Sequence, residues 1–442
     1  MPRDLTQGSI LKNIGIFSIP YLISYFLQTL YGMADLFIVG QFGDAAGITA
    51  VSIGSQLMHF FTVILIGLAM GTTVLVSQAV GGKKLLSISR ILGNTAILFC
   101  AFAAVSTAIL LFFCPNIVAL LSTPPEAVAD TIKYLTICFI GIPFITAYNV
   151  IAATFRGLGD SKSPMYFITI ACVINIALDY LFIGPLKMGA SGAAFATVLS
   201  QTISVIISAI AIKRNSLGIR IRRRDFRIHW PIQANIFKIG FPIACQDGFI
   251  QVSFLVITAI ANSRGLEIAA AVGIVEKIIC FLFLVPSAML STVSALAAQN
   301  IGAKNYARAK STLATCAMIA AGFGAICGIA FQFISEPVLA LFTSDANVIR
   351  YGAQYMHGYV FDCMVAGIHF CFNGYFCACK HSLLSFIHNV ISIVTIRVPG
   401  AYLASIWYPE TLFPMGIATL TGSILSALIC VVFFIRLEKK LK

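Results

Sequence analysis

The stretch Ile14-Gly-Ile-Phe-Ser-Ile-Pro20-Tyr-Leu-Ile-Ser-Tyr-Phe-Leu-Gln-Thr-Leu-Tyr-Gly-Met-Ala-Asp35-Leu-Phe-Ile-Val-Gly40 is an apolar run long enough to cross a bilayer, which takes about 20 mostly apolar residues. One acid, Asp35, interrupts it. On insertion scales a central Asp costs about 2.5–3.5 kcal/mol, so such a residue is kept for a partner or a task. Pro20 removes one backbone hydrogen bond from the same run and predisposes the helix to bend. The stretch therefore predicts a membrane helix with a hinge at Pro20 and a titratable group beyond it.

Composition extends this reading to the whole chain. Of 442 residues, 59% are hydrophobic and 10% charged, against about 25% charged in soluble domains. The expectation is an all-α polytopic membrane protein of twelve spans. They are drawn at 14–40, 47–80, 91–114, 128–154, 164–183, 190–212, 232–262, 267–300, 311–333, 346–378, 383–407 and 411–435. The first run is too long for a cleavable leader and lacks a small-residue cleavage site. The 13 cysteines lie mostly inside apolar runs and form no disulfide framework. Cys377 and Cys379 have the wrong spacing for a zinc knuckle and read as small apolar packing residues.

The net charge of +13 follows from topology. Alternate loops and both ends hold 22 of the 29 Lys and Arg, with seven between Lys213 and Arg227. The opposite loops hold only Lys187, Arg264 and Arg350. The positive-inside rule then places both termini in the cytoplasm, on the inner (plasma) membrane, and leaves no basic surface calling for nucleic acid. The linker Arg220-Ile-Arg-Arg-Arg-Asp-Phe-Arg227 can also meet anionic headgroups.

An internal repeat has an offset near 221. Gln78-Ala-Val-Gly-Gly-Lys83 aligns with Gln299-Asn-Ile-Gly-Ala-Lys304, Phe155 with Phe376, and Pro20 with Pro242 at one residue more. Two six-helix lobes are expected, 1–212 and 232–442, joined by a basic cytoplasmic linker at 213–231. Parallel repeats of this kind place a central cavity at their interface in secondary transporters.

Five acids fall inside the spans and away from their first residues: Asp35, Asp179, Asp247, Glu276 and Asp362. Asn175 and Asp179, four apart, share one helix face. With Asp35, Thr197 and Tyr134 they give the first half two carboxylates, an amide, a hydroxyl and a phenol. Two adjacent acids cannot both ionise cheaply in a low dielectric, so the set suits a proton, or Na⁺ held by hard oxygen ligands. In the second half, Gln246, Asp247, Gln251, Asp362 and Arg397 are candidates for a substrate cavity or for structural ion pairing. Arg397 is a counter-ion for Asp362 or Asp247, and Glu276 either pairs with Lys277 or sits near the outer end of the cavity. His59 and His369 read as isolated core groups. No phosphate-binding glycine loop appears; Gly157-Leu-Gly-Asp-Ser-Lys162 follows a membrane helix and is a tight turn. With no nucleophile–base set and no metal cluster, an enzyme is disfavoured, and no cofactor is expected.

In order and spacing these motifs resemble the multidrug and toxic compound extrusion (MATE) family, in its DinF-like or MepA-like branch. They are Tyr31-Gly-Met-Ala-Asp35, Gly71-Thr-Thr-Val, Phe155-Arg-Gly-Leu-Gly-Asp-Ser-Lys162, Asn175-x-x-x-Asp179, Gly192-Ala-Ala-Phe-Ala-Thr197 and Gln299-Asn-Ile-Gly302. The resemblance implies a monomeric antiporter for amphipathic, often cationic compounds. It also implies coupling by H⁺ or Na⁺ at Asp35, Asp179, Asn175 and Thr197, with Tyr134 beside them and Pro20 as hinge. Ala378-Cys-Lys-His-Ser382 departs from the branch, whose members tend to read Gly-Cys-Gly-His-Thr. The nearest rival is a lipid-linked oligosaccharide flippase of the same superfamily, which would carry more cationic cavity residues. A channel is the second rival.

Overall fold

The computed structural model describes residues 3–121, 123–214 and 222–441. Its regular elements are all helical: α1 Ile10–Phe42, α2 Ala45–Gly81, α3 Leu85–Leu120, α4 Pro125–Ile140, α5 Ile142–Gly157, α6 Lys162–Ile183, α7 Gly189–Arg214, α8 Trp230–Asn262, α9 Leu266–Leu282, α10 Leu284–Gly302, α11 Tyr306–Leu339, α12 Ala346–Tyr359, α13 Asp362–Ala378, α14 Leu383–Ser392, α15 Val398–Trp407 and α16 Phe413–Leu441. A 3₁₀ turn covers Arg223–Phe226, and a π segment, Ile393–Arg397, joins α14 to α15. Of the basic linker expected at 213–231, residues 215–221 lie outside the described residues.

Among the described residues, ten helical stretches are long and apolar enough to span, and two bent pairs bring the number to twelve. The bends break spans that the apolar pattern runs together. α4 and α5 meet at 48°, where Pro143, the second residue of α5 after the Gly141 cap, cannot donate to the preceding turn. α12 and α13 meet at 43° with no proline at the break. Just before it, Gly358 approaches α16 so closely that a Cβ would lie 2.5 Å from the Phe413 carbonyl oxygen.

The chain forms two compact units. The first comprises Ile19–Phe237 with the chain start up to Asp4; the second comprises Leu5–Ser18 with Lys238 onward. In the first unit α2 packs on α4 and α5, and α7 on α4 and α6. The motif around Gly71 is packing chemistry. Thr73 donates to the Ala153 carbonyl (3.0 Å), Ser77 to the Gly157 carbonyl (3.1 Å), and a Cβ on Gly71 would stand 2.1 Å from the Ile236 carbonyl oxygen. Because that neighbour is backbone and cannot rotate away, Gly71→Ala should lower stability by about 2–3 kcal/mol. Gly248→Ala, with open space around its Cβ, should gain about 0.5–1 kcal/mol of helix propensity. Thermal unfolding in detergent, with an opposite sign for the two variants, checks the pair.

In the second unit α13 lies against α10 and α11, and α12 against α9 and α16. The N-terminal segment is held there too. Leu5 N–H donates to Gln299 Oε1 (2.9 Å), and Arg308 donates to the carbonyls of Gln7 and Gly8.

The repeat is written into the turns. Four spans end in the same Schellman geometry: an N–H bonded five residues back, after a residue with positive φ. The bonds are Lys84 to Ala79, Asp160 to Phe155, Asn305 to Asn300 and His381 to Phe376. The left-handed residues are Lys83 (φ 55°), Gly159 (83°), Lys304 (61°) and Lys380 (63°). Lys304 stands 221 residues after Lys83, and Lys380 221 after Gly159. Left-handed backbone costs an L-residue about 1–2 kcal/mol that glycine does not incur. Lys380→Gly should therefore raise stability by about 1 kcal/mol and Gly159→Ala lower it by a similar amount, measured by thermal unfolding in detergent.

Candidate functional site

The first unit brings together the acids that the sequence separates by 144 positions. Asp35, on α1, is 2% exposed, and Asn175 and Asp179, one turn apart on α6, are fully buried. Asp179 and Asn175 lie within electrostatic reach of Asp35. Thr197 of α7 donates to Asp35 Oδ2 at 3.0 Å. That is the only hydrogen bond between protein groups that these carboxyls make among the described residues. Asp35 Oδ1, both Asp179 oxygens and both polar atoms of Asn175 have no such partner. Tyr134 of α4 is buried within electrostatic reach of Asp35. Gly54 of α2 makes room for its ring, since a Cβ there would lie 2.3 Å from Tyr134 Cδ1.

Two carboxyls facing each other away from water hold one proton between them or share a cation. The donor set, carboxylate, amide and hydroxyl oxygens, is of the hard kind that Na⁺ accepts.

Two further residues belong to this cluster. Tyr31, one turn before Asp35, places its hydroxyl 3.2 Å from the Thr197 carbonyl and 3.3 Å from Ser200 Oγ. Tyr31 thus fixes α1 to the stretch of α7 that presents Thr197. Its i, i+4 spacing to Asp35 was the available signal; Ser200, 169 residues away, gave none.

Pro20 lies inside α1, and the helix continues through it. Ser24 donates to the Pro20 carbonyl at 2.8 Å, a back-bond that tends to bend helices. Within its unit this part of α1 makes only sparse close backbone approaches, in contrast to α6 against α7.

The second-half candidates separate into two places. Arg397 ends the π segment, buried, donating to the Tyr359 hydroxyl at 3.0 Å and stacking on Phe254 at 4.8 Å. Its charge acts on both Asp362 and Glu276. Among the described residues neither acid comes within ion-pair distance of it. Gly422 of α16 lets the π segment approach, and Ser392 donates to its carbonyl. Glu276 accepts from Thr258 at 3.1 Å and does not pair with its exposed neighbour Lys277. Both Asp362 oxygens lack a protein partner. Asp247 lies elsewhere, beside Cys377, so Arg397 serves the Asp362 side and not Asp247. Gln246 is buried with neither amide atom bonded; Gln251, a turn beyond Asp247, is half-buried.

His369 is not isolated. Its ring lies 5.7 Å from that of His388, which is hydrogen-bonded to Asn373 Oδ1 (2.6 Å) and Ser426 Oγ (3.2 Å). Among the described residues no group of three or more His, Cys, Asp or Glu side chains could hold a metal ion.

The family model MatE matches residues 20–181 and again 242–403, so each half of the repeat matches by itself. The chain is 29% identical over 415 residues to the probable multidrug resistance protein YpnP of Bacillus subtilis, covering 94% of this chain and 93% of that protein. It is 24% identical over 378 residues to the multidrug export protein MepA of Staphylococcus saprophyticus, covering 83% and 81%. Among solved structures, a MATE transporter in the straight conformation superposes with a TM-score of 0.90 at 22% identity, over 97% of this chain and 96% of that one.

Proposed function

Because the chain belongs to the MatE family, a family of multi-pass membrane transporters, we propose that it is a secondary active multidrug exporter. It takes amphipathic, often cationic compounds outward in exchange for inward H⁺ or Na⁺ by alternating access. It works as a monomer in the plasma membrane with both termini cytoplasmic. The observation that carries this reading is the cluster of Asp35, Asp179 and Asn175, which has five buried polar atoms without a protein partner and a single hydrogen bond, from Thr197. A structural polar cluster would be expected to satisfy itself; this one is arranged to receive a cation. The relatives named as multidrug resistance and export proteins support small drug-like molecules as the cargo.

Energetically, one inward charge yields about 2.3 kcal/mol per 100 mV, before any chemical gradient of the ion. The ion drives transport only if it binds the two access states with different affinity. α1 carries Asp35, is sparsely packed in its unit and contains Pro20, so it is the element whose bending would alter that affinity. A lipid-linked oligosaccharide flippase would need more cationic cavity side chains than single arginines such as Arg156 and Arg397 supply.

The test is export by reconstituted proteoliposomes with a proton gradient and a sodium gradient imposed separately. Accumulation of an ethidium-like cation under one gradient, and its collapse when that gradient is dissipated, is expected. Movement under neither would remove the antiport reading.

A further inference from the structure

A second polar site in the first unit shares no lining residue with the Asp35 cluster. A half-open cavity of about 20 Å³ is lined by Tyr21, Tyr25 and Gln28 of α1 and by Tyr148, Asn149 and Arg156 of α5. Its only ionic group is Arg156, in the last turn of α5. Among the described residues, Arg156 has no carboxylate within ion-pair distance and its guanidinium makes no hydrogen bond. Asp160, the acid nearest in sequence, is committed to the start of α6. It accepts from the N–H groups of Lys162 and Ser163 and from the Ser163 hydroxyl. What holds Arg156 is the face of Tyr21, 5.3 Å from the guanidinium, with Tyr25 stacked on Tyr21 at 6.2 Å. A guanidinium stacked in this way keeps its in-plane N–H donors for a ligand.

The other polar groups are neutral. The Gln28 side chain has no hydrogen bond among the described residues. Asn149 donates to the Ile145 carbonyl at 2.9 Å, which leaves its second N–H and its oxygen. The Tyr148 hydroxyl makes only a long contact, 3.5 Å, to the Pro164 carbonyl. A charged side chain in a membrane protein ordinarily pairs or lines a polar path. Here a fixed positive fork and an unbonded amide share one small cavity that carries no negative charge. A space of this size holds about one oxygen-sized atom, so a tetrahedral oxyanion would enter from the open side with one edge on the fork.

We propose that this cavity binds a phosphate oxyanion, carried by a lipid headgroup or free in solution, through Arg156 and Gln28. Arg is the side chain suited to bidentate phosphate recognition. Ser24, which lines the same cavity, is bonded to the Pro20 carbonyl. A phosphate bridging Gln28 of α1 to Arg156 of α5 would therefore tether α1 just beyond its hinge and favour one conformation of it.

The experiment uses the full chain purified in a nonionic detergent, with thermal unfolding followed against added inorganic phosphate, dihexanoyl phosphatidylglycerol, or sodium chloride at equal ionic strength. A ligand that binds only the folded protein raises Tm with its concentration. The expected result is a rise of about 3 °C or more over the chloride control, absent in Arg156→Gln. A rise with both phosphate and lipid identifies a free anion as sufficient; a rise with the lipid alone identifies the headgroup. If Arg156→Gln does not fold, Gln28→Leu is judged by the same criterion, with the rise at least halved. No rise above chloride in the wild type, or an undiminished rise in the variant, overturns the proposal. The readout requires no transport, so it stands apart from the antiport test.

Discussion

Asp35→Asn should abolish ion-coupled export while leaving the fold in place. The amide matches the carboxyl in shape, and its oxygen can still accept the bond from Thr197 now made to Oδ2. It cannot take up a proton or contribute a negative charge to Na⁺. An allosteric coupling free energy is typically about 1–3 kcal/mol, or roughly 5–150-fold, and losing the ion's differential affinity removes all of it. Gradient-driven accumulation should thus fall roughly 100-fold, towards the level of empty vesicles. Thermal stability should hold or rise, since the substitution ends the burial of two facing acids. Asp44→Asn is the control: it changes an acid outside the cluster that caps α2 through Gly47 N–H at 2.8 Å, a role asparagine also fills. Wild-type export by Asp35→Asn would take Asp35 out of the mechanism.

Arg397→Leu should be among the most destabilising single changes in the second unit. Arg397 is 9% exposed and is the positive charge acting on both Glu276 and Asp362. Removing one member of a buried charge cluster leaves the others uncompensated, at a cost of about 3–5 kcal/mol. The Tyr359 hydroxyl and the face of Phe254 lose their partner as well. Adding Asp362→Asn to Arg397→Leu should recover a good part of the loss, because an amide needs no counter-charge. Arg397→Lys should recover less than the full stability, since an ammonium has no planar face to stack on Phe254. Urea or thermal unfolding of the four proteins in one detergent measures the cycle. Additive effects of Arg397→Leu and Asp362→Asn would mean that the two groups do not interact.

These experiments address the two halves differently because the sequence exposes them differently. In the first half, Asn175 and Asp179 are four apart on one apolar helix, so their shared face follows from helix geometry alone. Asp35 could be added because an acid in a span is rare enough to demand a reason. Tyr31 was within reach of the same argument, one turn from Asp35. In the second half Glu276 sits beside Lys277 in sequence, and adjacency suggested an internal pair. Helix geometry sends adjacent residues about 100° apart, so Glu276 turns inward to Thr258 and Arg397 while Lys277 is exposed. His369 looked solitary for a similar reason: His388 follows it by 19 residues on α14, and only the packing of that helix brings the rings together.

The sequence by itself determined the all-helical spanning architecture, the two-fold repeat and the shared helix face of Asn175 and Asp179. Each follows from a local or periodic quantity: runs of apolar residues matched to bilayer thickness, equal offsets between turns, and the 3.6-residue period of a helix. Tertiary structure alone decided the bend at α12–α13, the π segment that carries Arg397, the pairing of Tyr31 with α7 and the cavity holding Arg156. All four depend on how closely one helix can approach another. That distance is set by side chains far apart in the chain, such as Gly358 and Gly416 between α12 and α16 or Gly422 against Arg397. Hydropathy records that a residue prefers to leave water. It carries no information about which neighbour the residue then meets.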